Sequence, residues 1–511
     1  MQNKKNSYHS KIKKEINSCL VKSKILDRNH LKKPIKGESI NLDLSKHNIN
    51  KKILNNLYQI LENTNYKSNL KSLLNGEEIN HSEKRPVLHC ALRGTYKNLD
   101  KSVIKLLEKE RKEMFSLADQ ISSGKLKGSS GKKITNIVSV GIGGSYLPIK
   151  FAYDALKKFR VNKIKIDFVY NLDVRNIFDV LENIDVERTL FVFISKSFNT
   201  METLEALNFI KKLLIKDKKI SNYREHLFAV TTNQEAAIKM KINSKNILSM
   251  PEGVGGRFSL WSNVSFPLVV SIGSKNFKKL LEGAKSADSH FIKRKPENNI
   301  PINLALISYY YSTFFSTSSH AILTYDYPLR TFSSFLQQLE MESNGKSLSF
   351  DGKKIKSKIP LIIWGGEGNP SQHSFFQLLH QSNHSILSDF IISQKPEIGC
   401  KQNHKMLHAN FMAQVDTLYE GFDLKQSKNL YNTKFAKREL NKALVVKNLL
   451  ISNRKPVNII NLNNISPKSL GELISLYEHK VFILGQLYGI NSYDQWGVEV
   501  GKMRANNYLK N

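Results

Sequence analysis

The sequence predicts an α/β protein with two doubly wound parallel-sheet domains in series and helical extensions at both ends. The chain has 511 residues, whereas a single core usually stops growing at about 250–300 residues. Apolar segments typical of buried strands alternate with helical segments, and this alternation occurs in two series. Between the two series, near residues 275–300, the alternation breaks. These observations favour two domains over one.

The N-terminal segment, residues 1–105, is predicted to be mostly helical and polar and to pack on the second domain. Apolar residues recur in it at helical spacing, as in NKKILNNLYQILENT. The first α/β domain is placed at residues 106–280. Its predicted strands, each followed by a turn or a helical pattern, are KITNIVSVGIGG, KIKIDFVYNLD, TLFVFISKS and EHLFAVTTN.

The second α/β domain is placed at residues 281–480, where the alternation resumes. Its predicted strands are HAILTYD, IPLIIWGG, HSILSDFIIS and KPVNIINLN. Residues 481–511 are predicted to form a C-terminal helical segment.

The three cysteines, Cys19, Cys90 and Cys400, are far apart and odd in number. They define neither a disulfide framework nor a metal-binding spacing, which is typical of a reducing compartment. The N-terminus lacks the apolar core of a signal peptide, and no apolar run reaches the about 18 residues that a membrane-spanning helix needs. We therefore expect a soluble, cytoplasmic protein with no membrane partner.

The net charge of +34 is large enough to suggest a nucleic-acid or membrane partner. However, the lysines are scattered along the whole chain, and no block of aromatic residues alternates with them. A lysine-rich surface that reflects biased composition is therefore the favoured interpretation, with no specific nucleic-acid partner. A positive field would also attract a small anionic substrate, without identifying it.

The first glycine-rich loop, VGIGGSYLP, follows a predicted strand and contains Gly141, Gly143, Gly144 and Ser145. Its pattern suggests a dinucleotide-binding turn, but that fingerprint requires a third glycine or alanine where Tyr146 stands. Glycines after a strand also serve ordinary tight turns. The dinucleotide interpretation is therefore weak.

The second loop, SKSFNT, lies between an apolar strand and a predicted helix that begins near Met201. The hydroxyls of Ser195, Ser197 and Thr200, with the helix N-terminus, would form an anion site. The alternative is a Ser/Thr helix cap supported by a glutamate, which requires no ligand. Spacing supports both equally, and the absence of Asp and Glu from residues 195–200 favours an anion such as phosphate.

Further polar residues have both a functional and an ordinary interpretation. Arg257 follows two glycines and would enter a cleft, although a surface arginine is the common case. In LQQLEMESNGKS, Glu340 and Glu342 cannot share a helix face. One could point inward and serve as a tuned general base, but from these residues alone two solvated glutamates near a helix end are the favoured interpretation.

His373 and His380 lie seven residues apart, and no third ligand gives them zinc spacing. His373 follows a loop with glycine and proline, where reactive groups often lie, and a structural histidine is the alternative. The segment DQWGVEVGK gathers polar residues on one probable helix, whose alternative is an ordinary amphipathic helix.

Taken in order, these segments resemble the glucose-6-phosphate isomerase family. The resemblance covers most of the chain, from about residue 82 to the last lysines. The matching segments are SEKRPVLHCALRG, VGIGGSYLP, SKSFNTMET, GGRFSLWS, MESNGK, SQHSFFQLLHQ and DQWGVEVGK.

The resemblance implies two sugar-isomerase (SIS-type) domains and a homodimer. It also implies interconversion of D-glucose 6-phosphate and D-fructose 6-phosphate through ring opening and an enediol(ate), in glycolysis and gluconeogenesis. The family uses neither a metal ion nor a nucleotide, so we expect no cofactor.

The resemblance also implies site residues. Glu342 matches the base, Arg257 the group that stabilises the enediolate, and His373 and Lys502 the groups that open the sugar ring. The matching histidine comes from the neighbouring subunit in the family. Substrate binding is expected from loop hydroxyls, loop glycines, a lysine and two amides, namely Gly144, Ser145, Ser195, Lys196, Ser197, Thr200, Gly256, Gln338 and Gln495.

This chain departs from the family at several positions. Ser197 and Asn199 stand where threonines are usual, and Leu339 and Glu340 stand where glycine and aspartate are usual. The segment before His373 also differs. These departures concern rate and substrate preference more than reaction class.

Rival classes remain for comparison. A non-catalytic sugar-phosphate sensor would not need Glu342, His373 and Lys502 together. A nicotinamide oxidoreductase is disfavoured by Tyr146, and a nucleic-acid-binding protein rests on the charge alone.

Overall fold

The computed structural model describes residues 2–21, 31–355, 359–396 and 398–509. In them, the strands are β1 (Ile35–Lys36), β2 (Ile40–Lys46), β3 (Asn136–Val140), β4 (Lys165–Val169), β5 (Thr189–Ile194), β6 (Leu227–Thr231), β7 (Ile247–Ser249), β8 (Ser319–Thr324), β9 (Ile362–Glu367), β10 (Ile386–Ser393) and β11 (Val457–Leu462).

The helices are α1 (Gln2–Val21), α2 (Lys51–Glu62), α3 (Tyr66–Asn75), α4 (His89–Leu92), α5 (Lys101–Ser122), α6 (Leu147–Ala155), α7 (Arg175–Leu181), α8 (Met201–Lys216), α9 (Gln234–Lys239), α10 (Phe266–Ile272), α11 (Ser274–Lys293), α12 (Ile300–Phe314), α13 (Phe332–Leu336), α14 (Gly368–Ser371), α15 (Phe376–Gln381), α16 (Lys401–Glu420), α17 (Leu424–Leu430), α18 (Lys442–Asn448), α19 (Pro467–Tyr488) and α20 (Glu499–Tyr508). A π-helix follows α13 at Gln337–Glu342. All eight predicted strands are confirmed, as β3–β6 and β8–β11.

The chain forms two compact units. Unit one comprises residues 1–66, 290–465 and 479–490, and unit two comprises 67–289, 466–478 and 491–511. Both units therefore combine segments that are distant in sequence, whereas the limits predicted at residues 105, 280 and 480 describe continuous segments. Those limits stay a prediction.

The sheet of unit two is wholly parallel, in the order β4-β3-β5-β6-β7. Its central strands β3, β5 and β6 are mainly apolar and are buried along their whole length, because helices cover both faces of the sheet. The strand β3 pairs with β4 on one side and with β5 on the other. The loops that follow β3 and β5 thus leave the same edge at a topological switch point, where such sheets bind ligands.

The sheet of unit one has the order β1-β2-β11-β10-β8-β9. The strands β8–β11 are parallel, as predicted, but β2 pairs antiparallel with β11, and β1 with β2. The sequence-based prediction for the part of the chain that contains β1 and β2 was helical. Ile40, Leu42 and Leu44 alternate with polar residues and point into the core, which is the period-two pattern of a strand.

Two further features bear on the sequence-based expectations. Cys90 and Cys400 are free thiols, and the side chain of Cys19 lies outside the described residues. Across the part of the chain that the structure describes, the helices lack the combined length and apolarity needed to cross a membrane.

Candidate active site

The loop after β3 passes directly against the end of β5. A Cβ atom at Gly141 would lie 3.1 Å from the carbonyl oxygen of Ile194 and 2.8 Å from the Cβ of Ser145. Only glycine leaves room for this approach. The consequence is that the Ser145 loop and the loop after β5 lie side by side in unit two.

The loop after β5 brings its hydroxyls together. Ser195 and Thr200, five residues apart, join their hydroxyls at 2.9 Å, and the Ser197 hydroxyl donates to Asn199 Oδ1. Between them, Phe198 is buried and has a φ of +52°, which turns the loop back on itself. The predicted grouping of Ser195 and Thr200 is thus observed.

Helix α8 begins directly after Thr200. The Thr200 side chain makes no capping hydrogen bond to the described residues of this helix. The alternative of an ordinary Ser/Thr cap is therefore not what the structure has. The first amides of α8 keep the positive end of the helix directed at the loop.

The Lys196 ammonium lies over residues 252–254, which precede the turn that bears Arg257. It donates to the carbonyl oxygens of Glu252 at 2.7 Å and Val254 at 3.3 Å. Burial, and then the nearby charge of Arg85, hold the pKa of Lys196 below its usual range. A bound anion would offset both effects, because it would favour the charged form.

Gly144 and Gly256 put two loops of unit two in backbone contact. A Cβ atom on Gly144 would lie 2.1 Å from the carbonyl carbon of Gly256. The Ser259 hydroxyl also donates to the carbonyl oxygen of Gly144 at 3.0 Å. The loop that bears Ser145 and the turn that bears Arg257 are therefore fixed against each other.

Arg257 is 2% exposed. Its guanidinium donates to Gln495 Oε1 at 3.0 Å and to the carbonyl oxygens of Ser492 at 2.8 Å and Asp494 at 3.0 Å. The structure therefore brings together two predicted site residues, Arg257 and Gln495, from positions 238 residues apart.

A buried polar cluster that the sequence did not predict supports the turn of Arg257. Trp261, at the end of the same turn, donates its Nε1 to Glu478 Oε1 at 2.9 Å. Arg93 pairs with Glu478 and, at 2.6 Å, with Asp288. Burial raises the pKa of Glu478 to about 7, against the opposing effect of Arg93.

Lys502 lies on α20 and is 61% exposed. Its ammonium pairs with Glu499 of the same helix at 2.7 Å. Within the described residues, Lys502 forms its ion pair with Glu499 and makes no such contact with Arg257 or Gln495.

Tyr146 replaces the third glycine of a dinucleotide fingerprint. Its ring stacks on Tyr170, with centroids 4.2 Å apart and planes at 6°. The fingerprint needs a glycine there for close packing of helix on strand. The aromatic pair thus argues against a dinucleotide site.

The remaining predicted residues belong to unit one. Gln338 and Glu342 are partly buried on the π-helix, which contacts β9 through a hydrogen bond from the Ile363 amide to the Met341 sulfur at 3.4 Å. Within the described part of the chain, Gln338 Oε1 is buried without a hydrogen-bond partner. Among those residues, the fold therefore leaves this acceptor unused.

His373 is exposed, in the turn between α14 and α15. Its backbone amide donates to the carbonyl oxygen of Pro370 at 3.0 Å. His380 instead packs edge-on against Phe376, with ring centroids 5.6 Å apart, which is a structural role. Of the two histidines, His373 is the one that presents its ring to solvent.

Glu340 differs from the expectation of solvated glutamates. It is 1% exposed, and its Oε2 binds the Lys480 ammonium at 2.8 Å. Sequence reasoning missed Lys480. The signal was the charged triplet Glu478, His479 and Lys480 inside the otherwise apolar run LISLYEHKVFILG.

Comparison with known proteins gives matches over most of the chain. A family profile described as phosphoglucose isomerase matches residues 43–511. A glucose-6-phosphate isomerase of Shewanella sediminis is 38% identical over 474 residues, covering 92% of this chain and 87% of the relative. One of Helicobacter pylori strain P12 is 40% identical over 473 residues, with the same coverage.

A solved structure is also similar. The crystal structure of a glucose-6-phosphate isomerase from Chlamydia trachomatis superposes with a TM-score of 0.82 at 28% identity, covering 95% of this chain and 91% of that one.

The fold and site define a two-unit α/β protein with a hydroxyl-bearing loop at the carboxyl ends of parallel strands. The family match over residues 43–511 then specifies this class. The chain belongs to the phosphoglucose isomerase family.

Proposed function

We propose that this protein is an aldose–ketose isomerase that interconverts D-glucose 6-phosphate and D-fructose 6-phosphate. The observation that carries the proposal is the family match over residues 43–511, on a chain that keeps Arg257, Glu342, His373 and Lys502 within the matching segments. No step of the proposed reaction uses a cofactor.

The phosphate of the sugar would bind at the carboxyl ends of β3 and β5. Support comes from the paired hydroxyls of Ser195 and Thr200, the amides at the start of α8 and the adjacent Ser145 loop. Lys196 adds a positive charge. A phosphate has enough acceptor oxygens for these donors, and helix N-termini favour anions.

Glu342 would be the base that moves a proton between C2 and C1. It takes the proton from C2 of the open-chain aldose, which leaves an enediol(ate). A proton passes from the C2 oxygen to the C1 oxygen, and Glu342 returns its own proton to C1 to give the ketose. The positive charge of Arg257 would stabilise the negative charge that develops on the enediolate oxygen, and its buried hydrogen bonds fix its orientation in advance.

His373 and Lys502 would open the sugar ring by exchanging a proton between the ring oxygen and the anomeric hydroxyl. In this proposal His373 reaches the site of a second subunit, so the active form is a homodimer. Its exposed position in the turn between α14 and α15 supports this assignment. Gln338 and Gln495 would contact the sugar hydroxyls.

The protein would act in the cytoplasm, where glycolysis and gluconeogenesis use both sugar phosphates. The small number of cysteines fits that compartment.

A coupled assay tests the proposal. Purified protein is mixed with fructose 6-phosphate, and glucose 6-phosphate is measured with a dehydrogenase that reports its formation. Size-exclusion chromatography with light scattering reports the oligomeric state of the same sample. We expect turnover by a dimer, and a folded dimer that forms no glucose 6-phosphate above background overturns the proposal.

A further inference from the structure

A buried ion pair joins the π-helix to α19 within unit one. Glu340 Oε2 and the Lys480 ammonium are 2.8 Å apart, and the two side chains are 1% and 0% exposed. The proposed catalytic steps use neither residue. A buried pair of this kind is costly to form, because both charges leave water.

The pair is the end of a longer buried chain of polar groups. Lys480 Nζ lies 3.5 Å from His320 Nδ1, and His320 Nε2 lies 2.7 Å from Asp389 Oδ1. Asn458 donates its amide to the same Asp389 oxygen at 2.6 Å. Since His320, Asp389 and Asn458 lie on β8, β10 and β11, this chain anchors Lys480 to three neighbouring strands of the sheet.

A second contact holds the same segment to the same helix. The Asn344 side-chain amide donates to the carbonyl oxygen of Val481 at 3.1 Å, and Asn344 is fully buried. The two contacts therefore use consecutive residues of α19, Lys480 and Val481. Glu342 lies midway between their partners, two residues from Glu340 and two from Asn344.

The segment between the anchors has an unusual backbone. Residues Gln337–Glu342 form a π-helix, a rare wide turn that often occurs at functional sites. Residues two apart on a helix point to different sides. Burial of Glu340 towards Lys480 therefore directs Glu342 away from the interior of unit one.

We infer that Glu340 and Lys480 are a positioning pair for Glu342: their buried ion pair sets the register of the π-helix and thereby the direction of the catalytic carboxylate. This inference rests on the proposed function, because it concerns the base of that reaction. An apolar pair of similar volume would hold the fold as well or better, so the charges are explained by orientation rather than by stability.

The test uses Glu340→Gln, Lys480→Met and the double variant that combines them. Each single variant leaves one buried group without its partner and lowers the thermal unfolding temperature. The double variant removes both charges, so its unfolding temperature recovers towards wild type. A misplacement of about 1 Å can cost on the order of 100-fold in rate, so we expect kcat of the double variant to stay about 10- to 100-fold low.

The split between kinetic constants separates positioning from general damage. The phosphate-binding loops belong to unit two, so KM for fructose 6-phosphate should stay within about twofold. Solvent-deuterium incorporation at C2 of glucose 6-phosphate should fall in parallel with kcat. The control is Lys46→Met, which breaks an ion pair with Asp416 in the same unit and should leave kcat unchanged.

Each result of this experiment either supports or overturns the inference that Glu340 and Lys480 position Glu342. A double variant with restored stability and wild-type kcat shows a purely structural pair and overturns the inference, while the proposed function stands. A double variant with restored stability, low kcat and unchanged KM supports it. A wild-type protein without isomerase activity overturns the proposed function and this inference together.

Discussion

Arg257 shows how a buried cation can be oriented by neutral groups. Its guanidinium donates to one amide oxygen and two carbonyl oxygens. These three acceptors carry no formal charge, and together they fix the direction in which the guanidinium points. Such preorganised charge is most effective towards an anion that develops during the reaction.

Replacement of the proposed base tests the chemistry at a single residue. We expect Glu342→Gln to lower kcat by about 10²–10⁴-fold, because a positioned general base contributes that much. Phosphate binding and folding should survive, since glutamine keeps the shape. The measurements are kcat, KM and deuterium exchange at C2, with Glu439→Gln on the exposed surface as the control. Exchange at the wild-type rate in Glu342→Gln would mean that the base lies elsewhere.

The loop of residues 195–200, proposed to bind the phosphate, gives a second test by single substitutions. We expect Ser195→Ala and Thr200→Val each to raise KM more than they lower kcat. Loss of one hydrogen bond to a charged group costs about 1.5–3 kcal/mol, which corresponds to roughly tenfold or more in KM. Ser221→Ala, an exposed serine of the same unit, is the control. An unchanged KM in both loop variants would remove the phosphate from this loop.

Two loops of unit two contact each other at glycine residues. The turn after β3 and the turn that bears Arg257 touch at Gly144 and Gly256, and at Gly144 no side chain fits. The contact transmits the position of one loop to the other. Ser145, proposed to bind the phosphate, and Arg257 thus lie on loops that keep a fixed relation within unit two.

Gly144→Ala should disturb this contact. Its Cβ would lie 2.1 Å from backbone of Gly256, which cannot move aside like a flexible side chain. We expect a loss of about 1–3 kcal/mol in the free energy of unfolding, together with a higher KM. The matched control is Gly255→Ala, where the new Cβ meets only Phe258 at 3.7 Å. Equal unfolding temperatures and KM values for the two variants would contradict this account.

Helix α5 carries a buried carboxyl group whose ionisation should destabilise the fold. Glu110 is 7% exposed, and burial, followed by the charge of Glu113, raises its pKa from 4.5 to about 7. The folded state therefore retains a proton that the unfolded state has lost. The contribution of Glu110 to the free energy of unfolding is fully present below pH 4.5 and is lost as the pH rises through about 7.

We therefore compare wild type with Glu110→Gln, which cannot ionise. We expect the variant to gain in unfolding temperature over wild type at pH 8.5, and the two proteins to be closer in unfolding temperature at pH 5. Thermal unfolding at both pH values measures the difference. Glu108→Gln, on an exposed side chain of the same helix, is the control. A difference in unfolding temperature that does not change with pH would show that Glu110 does not titrate in this range.

The elements also show what the sequence could and could not predict. The strands β3–β6 and β8–β11 were predictable because buried parallel strands are continuous apolar runs. The strand β2 was missed because its alternation of Ile40, Leu42 and Leu44 lies in a polar, helix-rich segment. Its pairing with β11 depends on residues over 400 positions away, which local pattern cannot show.

In the candidate site, too, local sequence places some residues and tertiary structure places the others. The loop hydroxyls were predictable because Ser195 and Thr200 follow one strand, so that local sequence sets their grouping. The burial of Glu340 was not predictable, because its partner Lys480 is 140 residues away. The contact of Arg257 with Gln495 was likewise set by tertiary structure, although the resemblance had assigned both residues to the site.

For the whole molecule, the net charge of +34 is the dominant electrostatic feature. Like charges repel, and this repulsion opposes the compact state. At 0.1 M salt the Debye length falls to about 10 Å, so added salt weakens long-range repulsion. The same field should attract sugar phosphates at low salt.

We expect the thermal unfolding temperature to rise by a few degrees between about 0.02 and 0.3 M NaCl, because screening reduces this repulsion. KCl should have the same effect, since screening depends on ionic strength and not on the cation. Differential scanning fluorimetry at constant pH measures the shift. A fall in unfolding temperature with salt would show that attractive ion pairs outweigh the repulsion.

The pairing of β2 with β11 has a consequence for biosynthesis. About 410 residues separate the two strands, and translation at about 5–20 residues per second leaves β2 without its partner for roughly 20–80 s. Unit two also needs residues 491–511. Neither unit can therefore close before its late segment, residues 479–490 for unit one and 491–511 for unit two, has been synthesised. During that interval the strand edges of the nascent protein stay open, which makes the growing chain a client for chaperones.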